Sequence, residues 1–494
     1  MTATGTRPCT PGTDFLQLTR ADAPSRGLTA WLADALRAAI MDGRLAGGSF
    51  LPATRVLAGD LGVSRGVIVE AYQRLHEEGL VRADRGAGTR VLPRPGPERP
   101  AAGPPAGGPR LPQPWRSGAG LDLSPGVPDL TGFPRAAWLR AERAVLDRVT
   151  AADLGYGDPR GSSWLRQELA GWLARTRGLR ASPDDIIIVA GVAQALALLG
   201  QVLGRQGTGR VAVEDPGSRG ARDQLAYWGL DPVPVPVDEH GLRAADLARS
   251  STTAVLLTPA HQFPTGVVLA PQRRRDLLAW AADSGLVIED DYDAEFRYDR
   301  TPVPAVQASA PDRVAYLGST SKTLVPGLRL GWLVPPARLR AALTGAKHAS
   351  DLGSPALPQL VLAHLIATGQ LARHIRVARA RQRDRRDALL AALREYLPQA
   401  RVQGVAAGLH LLITFPDTAG QPGDADLACR IQQAGVVVHP LSLHRLSPGP
   451  PGLVLGYAAH PPGQLREAAW RIAGAVAAWS GPRNTGRRRR AQAT

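Results

Sequence analysis

The chain has 494 residues, 44% of them apolar, more than one ordinary core accommodates, so two or three globular domains are expected. Its two cysteines, Cys9 and Cys429, lack metal-ligand spacing and are too few for a disulfide framework, which excludes a secreted disulfide scaffold and predicts a reducing, cytoplasmic setting without a metal site. No apolar run nears the roughly 20 residues of a membrane span and no signal pattern opens the chain, while the formal charge of +16 fits either a polyanionic partner or an Arg-rich composition without functional meaning.

In chain order, Leu28, Leu32, Leu36 and Ile40 recur as one buried helix face requires, and Gly43 stops that helix. A second helix fits Ala53 to Leu61, a turn falls at Gly62-Val63, and Ser64 is placed to cap a third helix running to about Glu78. Val81 and Val91 then lie on two short strands joined through Arg85-Gly86-Ala87-Gly88-Thr89. This order predicts an N-terminal winged helix-turn-helix over residues 15–93. Pro and Gly crowd together from Leu92 to Gly120, so 94–119 reads as a linker that lets the flanking modules move relative to each other.

Beyond it, apolar runs at Ile186–Val189, Val211–Glu214, Ala254–Thr258, Leu286–Glu289, Val314–Gly318 and Leu328–Leu333 alternate with helical segments such as Ala193–Gly204 and Pro271–Ser284. That alternation predicts an α/β domain over 120–480, with a mainly parallel sheet covered on both faces and ligand chemistry at the carboxyl ends of its strands. The basic run Arg487–Arg490 lies in a polar tail, 481–494, expected to be disordered.

Two sets of residues carry chemistry. At the start of the third helix, Ser64, Arg65 and Gly66 would enter a major groove, where Arg bridges guanine O6 and N7. Arg55 stands beside them, and at the wing Gly86 and Gly88 permit close approach while Arg85 and Thr89 offer phosphate or minor-groove contacts. Singly, such residues are equally ordinary exposed charges. In the second domain only two of the 59 basic residues are lysines, Lys322 and Lys347, so chemistry that needs a primary amine has little choice of position. Lys322 follows a predicted strand in Gly318-Ser319-Thr320-Ser321-Lys322-Thr323, beside hydroxyls and upstream of Arg329, which suits a phosphorylated aldehyde. Asp290, in Glu289-Asp290-Asp291-Tyr292, could face a pyridine nitrogen, and Tyr292 a ring hydroxyl; a solvated acidic loop is the competing reading.

The N-terminal motifs Leu51-Pro52-Ala53-Thr54-Arg55, Leu61-Gly62-Val63-Ser64-Arg65 and Gly86-Ala87-Gly88-Thr89 resemble the GntR family of winged-helix repressors over about residues 26–93. Ser124 to Pro128, Tyr156 to Gly161, Gly191 to Gln194, Thr258 to Gly266, Glu289 to Phe296 and the Lys322 motif resemble fold type I aminotransferases. Together they look like the MocR subgroup of GntR regulators. That resemblance implies DNA contacts from Arg55, Ser64, Arg65 and the wing glycines. It implies pyridoxal 5'-phosphate as cofactor, with Lys322 as its Schiff-base lysine, Asp290 opposite the ring nitrogen and Tyr292 at the ring oxygen. Phosphate contacts fall to Ser319, Ser321, Arg329 and the backbone of Gly191, Val192 and Ala193. Tyr156 would reach the phosphate of a neighbouring subunit, implying a homodimer, and His261 and Gln262 are candidates for adjoining polar contacts.

Two departures stand out. Ser218 follows Glu214-Asp215-Pro216-Gly217 where the family has a ring-stacking aromatic, and Pro451 to Tyr457 holds no Arg to clamp a substrate carboxylate, the nearest upstream being Arg445. Arg219 could bind an effector anion or be a surface charge. The favoured expectation is a regulator of operator DNA that senses the cofactor or an amine or amino-acid effector through an aldimine at Lys322, without physiological turnover. Ligand-dependent rearrangement passed on by the linker would be its mechanism. The alternative is an aminotransferase with an appended DNA-binding domain.

Overall fold

The computed structural model describes residues 24, 26–84, 88–93, 120–283, 285–299, 303–415 and 423–480, which form two compact units that divide within 94–119. The expected linker and tail, Cys9, and the wing residues Arg85 and Gly86 lie outside the described residues.

In the first unit α1 (Leu28–Met41), α2 (Thr54–Leu61) and α3 (Arg65–Glu77) precede an antiparallel hairpin of β1 (Val81–Asp84) and β2 (Gly88–Val91). Leu32, Leu36 and Ile40 are buried on one face of α1 and pack with Leu57, Leu61, Ile68, Tyr72 and Leu75. Ser64 occupies the N-cap position of α3, but its side chain makes no cap hydrogen bond. Its carbonyl instead receives the Val67 N–H at 3.1 Å, and the exposed hydroxyl is left facing solvent, which corrects the expected side-chain cap.

The second unit contains strands β3 (Leu121–Asp122), β4 (Ile187–Val189), β5 (Arg210–Asp215), β6 (Asp231–Asp238), β7 (Gly241–Leu242), β8 (Ala254–Leu257), β9 (Leu286–Asp290), β10 (Val314–Ser319) and β11 (Gly331–Val334). Then come β12 (Arg401–Gln403), β13 (His410–Thr414), β14 (Val436–Val437), β15 (His439–Pro440) and β16 (Gly452–Gly456). Its helices are α4 (Arg135–Leu146), α5 (Ser163–Arg177), α6 (Val192–Arg205), α7 (Arg219–Tyr227), α8 (Ala244–Arg249) and α9 (Pro271–Ala282), followed by α10 (Ala337–Asp351), α11 (Ala356–Ala367), α12 (Gln370–Tyr396), α13 (Asp424–Gln433) and α14 (Pro462–Ser480).

Eight strands form one sheet in the order β4-β11-β10-β9-β8-β5-β6-β7. The run from β10 to β6 is parallel, while β11 pairs antiparallel with both β4 and β10. Successive residues go to opposite faces, as a strand requires. Ile188, Tyr316 and Trp332 pack among residues of α4, α5 and α11, whereas Ile187, Val189, Leu317 and Leu333 pack against α6 and α10. Each buried Leu or Ile contributes about 1.5–3 kcal/mol, which is why these strands read as unbroken apolar runs. A smaller antiparallel sheet, β12-β13-β16-β15, buries Leu411, Ile413, Leu453 and Leu455 against residues of α12, α13 and α14.

Two expectations need correction. The strand expected from Leu328 begins only at Gly331, because Pro326–Leu328 form a short 3-10 turn and Arg329 takes the left-handed conformation, φ 51°, which breaks strand geometry. β6 forms where no strand is expected, its Pro232, Pro234 and Pro236 arguing against one. In the observed register every second residue directs its N–H away from β5, so all three prolines lie on the side where only β7 pairs, at Val237 and Asp238.

The end of β9 is held by a buried ion pair. Arg177 Nε and Nη2 donate to the two carboxylate oxygens of Asp291 at 2.6 and 3.1 Å, Arg177 Nη1 donates to the Val303 carbonyl at 2.6 Å, and the Tyr316 hydroxyl donates to Asp291 Oδ2 at 2.6 Å. Removing one member strands a buried charge, so Arg177→Leu is expected to lower stability by about 3–5 kcal/mol. Tyr316→Phe, which loses a hydrogen bond to a charged group, is expected to cost about 1.5–3 kcal/mol. Urea unfolding of the two variants checks both values.

Candidate cofactor site and DNA-reading surface

The parallel strands deliver their carboxyl ends to one place. β5 ends in Glu214 and Asp215, β8 leads into Thr258, β9 ends in Asp290, β10 ends in Ser319, and β4 leads through Ala190 and Gly191 into α6. A cavity here is lined by Glu214, Gly217, Ser218, Ala221, Arg222, Thr258 and Asp290.

Within the acidic run, alternation separates the residues by role. Glu289 is fully buried and accepts the Val306 and Gln307 N–H groups at 2.8 and 3.0 Å, Asp291 holds Arg177, and Asp290 between them faces the cavity. Asp290 Oδ1 is shut off from solvent and has no hydrogen-bond partner among the described residues. Burial, then the charges of Asp291 and Asp293, push the Asp290 carboxyl up to about 7, with Lys322 pulling the other way. Burial likewise raises Glu214 to about 7, although its carboxylate accepts both the N–H and the hydroxyl of Thr258 at 2.9 and 2.8 Å.

Lys322 donates its Nζ hydrogen bond to the Gly126 carbonyl. Gly126 has φ 91°, and a side chain there would put its Cβ 3.2 Å from Nζ, so the approach needs glycine. Burial lowers the Lys322 amine, against the opposing charges of Asp293 and Asp290. Tyr292 and Asp293 both meet His261 Nδ1, at 3.1 and 2.9 Å, and burial followed by the Asp293 charge raises the Tyr292 phenol. The His410 ring lies tilted against His261, its centre 5.1 Å away, and its Nε2 meets the Pro264 carbonyl at 3.2 Å. Gln262 is occupied at both ends of its amide: Nε2 donates to the Pro216 and Phe263 carbonyls, and Oε1 accepts from the Thr265 N–H and hydroxyl.

Ser319 is buried, with its Oγ accepting the Ser321 N–H at 3.4 Å, and the exposed Arg329 donates to the Ala190 carbonyl. Gly191, at φ 86°, leaves room for that guanidinium, 3.3 Å from where a Cβ would stand. Val192 and Ala193 open α6. Tyr156 is 94% exposed, and the loop after it is fixed by Asp158, which accepts from Arg160 and Arg166. Ser218 is the N-cap of α7, its hydroxyl accepting the Ala221 N–H at 3.3 Å. That role explains a serine here without reference to a ligand. Arg445 turns to the Pro450 carbonyl and Arg219 to Asp223, while Arg222, unremarked in the sequence, is buried against the Gly217, Leu443 and His444 carbonyls.

In the first unit Arg55, Ser64, Arg65 and Gly66 are all exposed, and Arg65 Nε donates to Thr54 Oγ1 at 3.2 Å, tying the start of α3 to α2. Gly88 is exposed and Thr89 half-buried on β2, where the Arg90 guanidinium lies 4.6 Å from the centre of the Phe50 ring.

Comparison with known proteins agrees with this layout. Residues 28–91 match the family described as bacterial regulatory proteins, gntR family, and residues 120–472 match aminotransferase class I and II, a fold family whose members bind pyridoxal phosphate. The chain is 34% identical over 453 residues to the pyridoxine biosynthesis transcriptional regulator PdxR of Corynebacterium glutamicum, covering 90% of this chain and 95% of that one. It is 32% identical over 466 residues to the probable rhizopine catabolism regulatory protein MocR of Rhizobium meliloti, covering 88% and 91%. Its second unit is similar in structure to the kynurenine aminotransferase of Pyrococcus horikoshii, with a TM-score of 0.68 and 26% identity over 74% of this chain and 93% of that one. Fold and site thus define a helix-turn-helix transcriptional regulator that carries an aminotransferase-like unit. The chain belongs to the MocR type of GntR-family regulators. Among the described residues no helix is long and apolar enough to cross a membrane.

The raised carboxyls make stability depend on pH. A carboxyl whose folded pKa exceeds its unfolded value stabilises the fold most below about pH 4, and that stabilisation is lost as pH rises through about 7. Without added cofactor, Asp290→Asn should therefore melt above the wild type at pH 8, with the gap closing toward pH 5. Thermal scans across that range read the difference, and a gap independent of pH would contradict the assignment.

Proposed function

We propose that the second unit holds pyridoxal 5'-phosphate through Lys322 and that the loaded site reports a small amine or amino acid to operator DNA. The observation that carries this reading is the enclosed Oδ1 of Asp290, which has no partner among the described residues and stands at a strand end near enough to Lys322 for their charges to act on each other, the lysine's ammonium form being disfavoured by burial. A buried carboxylate oxygen of that kind calls for a cationic N–H, which a protonated pyridine provides. When bound, the cofactor supplies an aldehyde carbon open to amines and an electron-withdrawing ring.

The chain's own residues divide the remaining work. Burial keeps more of the Lys322 amine in its unprotonated, nucleophilic form. Asp290 holds the ring-nitrogen proton at Oδ1, and Tyr292, steadied by His261 and Asp293, offers its hydroxyl to the ring oxygen. Ser319, Ser321, Arg329 and the Gly191, Val192 and Ala193 backbone at the start of α6 receive the phosphate, a helix N-terminus being suited to anions. Gln262, its amide shared between its own loop and the Pro216 carbonyl, supports the wall that His261 presents. The exposure of Tyr156 on an otherwise braced loop fits a contact with the phosphate in a second copy of the chain, and so a homodimer.

On DNA, Arg65 with Ser64 and Gly66 reads the major groove, Arg55 contacts phosphate or base edge, and Arg85, Gly86, Gly88 and Thr89 form the wing contact. Regulation without turnover is supported by the N-capping Ser218 and by Arg445, whose guanidinium is turned to the Pro450 carbonyl. A ligand changes DNA affinity only as far as it favours one of two states.

Purified protein should absorb near the visible edge with pyridoxal phosphate, and Lys322→Ala should abolish that band. Transamination of any amino acid at about 1 per second or faster would instead favour the enzyme reading. Arg65→Ala should weaken specific operator binding by about 1–3 kcal/mol at fixed salt while the fold persists, as gel shift and circular dichroism would show.

A further inference from the structure

The turn between β4 and α6 contributes backbone to the phosphate cup, and a chain of side chains behind it fixes its direction. Ala190 donates its N–H to Gln194 Oε1 at 2.7 Å, and Gln194 Nε2 donates to Asp351 Oδ2 at 2.7 Å. Asp351, at the end of α10, receives Lys347 Nζ on both oxygens at 2.7 and 2.6 Å and the Gly353 N–H at 3.0 Å. Lys347 also donates to Ser354 Oγ at 3.0 Å. On its other side Ala190 accepts from Arg329, so this one residue is held at both its N–H and its carbonyl.

Lys347, the second of the chain's two lysines, is 0% exposed. Lys347 is buried while the Asp351 side chain is 29% exposed, so the pair adds little net stability, but it does impose geometry. Each member of the chain has a fixed polarity. An ammonium only donates and a carboxylate only accepts, so Lys347 keeps Asp351 ionised and Asp351 can receive only the NH2 end of the Gln194 amide. That turns Oε1, and no donor, toward Ala190.

We propose that Lys347, Asp351 and Gln194 are positioning residues of the phosphate cup, a polarity relay that aims the Ala190–Gly191 backbone and so makes the pocket prefer a phosphorylated pyridine aldehyde to its unphosphorylated form. The proposal rests on the assignment of Ser319, Ser321, Arg329 and the α6 N-terminus to phosphate made above. None of the three relay residues touches the ring or the aldehyde in that assignment, so their loss should act on the phosphate end alone.

The test uses the full chain freed of cofactor and titrated separately with pyridoxal phosphate and with pyridoxal, read by absorbance. Gln194→Leu and Lys347→Met should weaken pyridoxal phosphate roughly ten-fold or more while leaving pyridoxal within about two-fold, and inorganic phosphate should compete less well. Because Lys347→Met leaves Asp351 without its cation, the double variant Lys347→Met/Asp351→Leu removes both charges together and should show the same collapse in preference, with its fold checked by near-ultraviolet circular dichroism. Folded variants that keep the wild-type preference, or that lose both aldehydes equally, overturn the relay. A wild-type chain that does not distinguish the two aldehydes overturns the phosphate assignment itself, and the relay with it.

Discussion

The bidentate pairing of Arg177 with Asp291 is the constraint on which the site depends. A strand end carrying Glu289, Asp290, Asp291, Tyr292 and Asp293 would repel itself apart unless the charges were separated and neutralised. The structure does this by alternation: Glu289 is taken up by two backbone N–H groups, Asp291 by a guanidinium, and Asp293 by the His261 ring. Only Asp290 is turned to the cavity with an oxygen to spare. Its raised pKa follows first from burial and then from the charges of Asp291 and Asp293 beside it.

Much of this was legible in the sequence because the signals were local. The period of α1, the glycine turn before α3 and the apolar runs of the parallel strands each follow from residues close in the chain. So does the placing of Asp290, Ser319 and Lys322 at strand ends. What escaped was non-local. Nothing near Asp291 announces that Arg177, more than a hundred positions earlier, will neutralise it, and nothing near Gln194 points to Asp351. The strand at β6 escaped for a different reason: prolines argue against strands in general, and only the pairing partner on each side decides whether the missing N–H groups matter. Ser64 shows the reverse case, a residue of the right type at the right position whose hydroxyl is nonetheless not used by the helix.

The departures from the aminotransferase pattern are also clearer with the fold in view. Ser218 begins α7 by accepting a backbone N–H, so the position is recruited for helix geometry where an aromatic would be recruited for stacking. Arg222, one turn on, binds carbonyls of the loop around His444 and thereby ties the large sheet's β5 connection to the smaller antiparallel sheet. Asp215 reinforces the tie by accepting the Leu446 and Ser447 N–H groups at 2.8 and 2.9 Å. Arg222, which lines the cavity, is therefore held by both halves of the unit.

The alternating prolines of β6 have an effect on solubility. A flank of the sheet with free N–H groups is a template on which another polypeptide can add itself as a further strand, the first step of ordered aggregation. Here the outward hydrogen-bond donors at Pro232, Pro234 and Pro236 are missing by covalent structure, and the short β7 takes up the positions just beyond them. This flank of the sheet therefore offers no continuous ladder to an incoming strand.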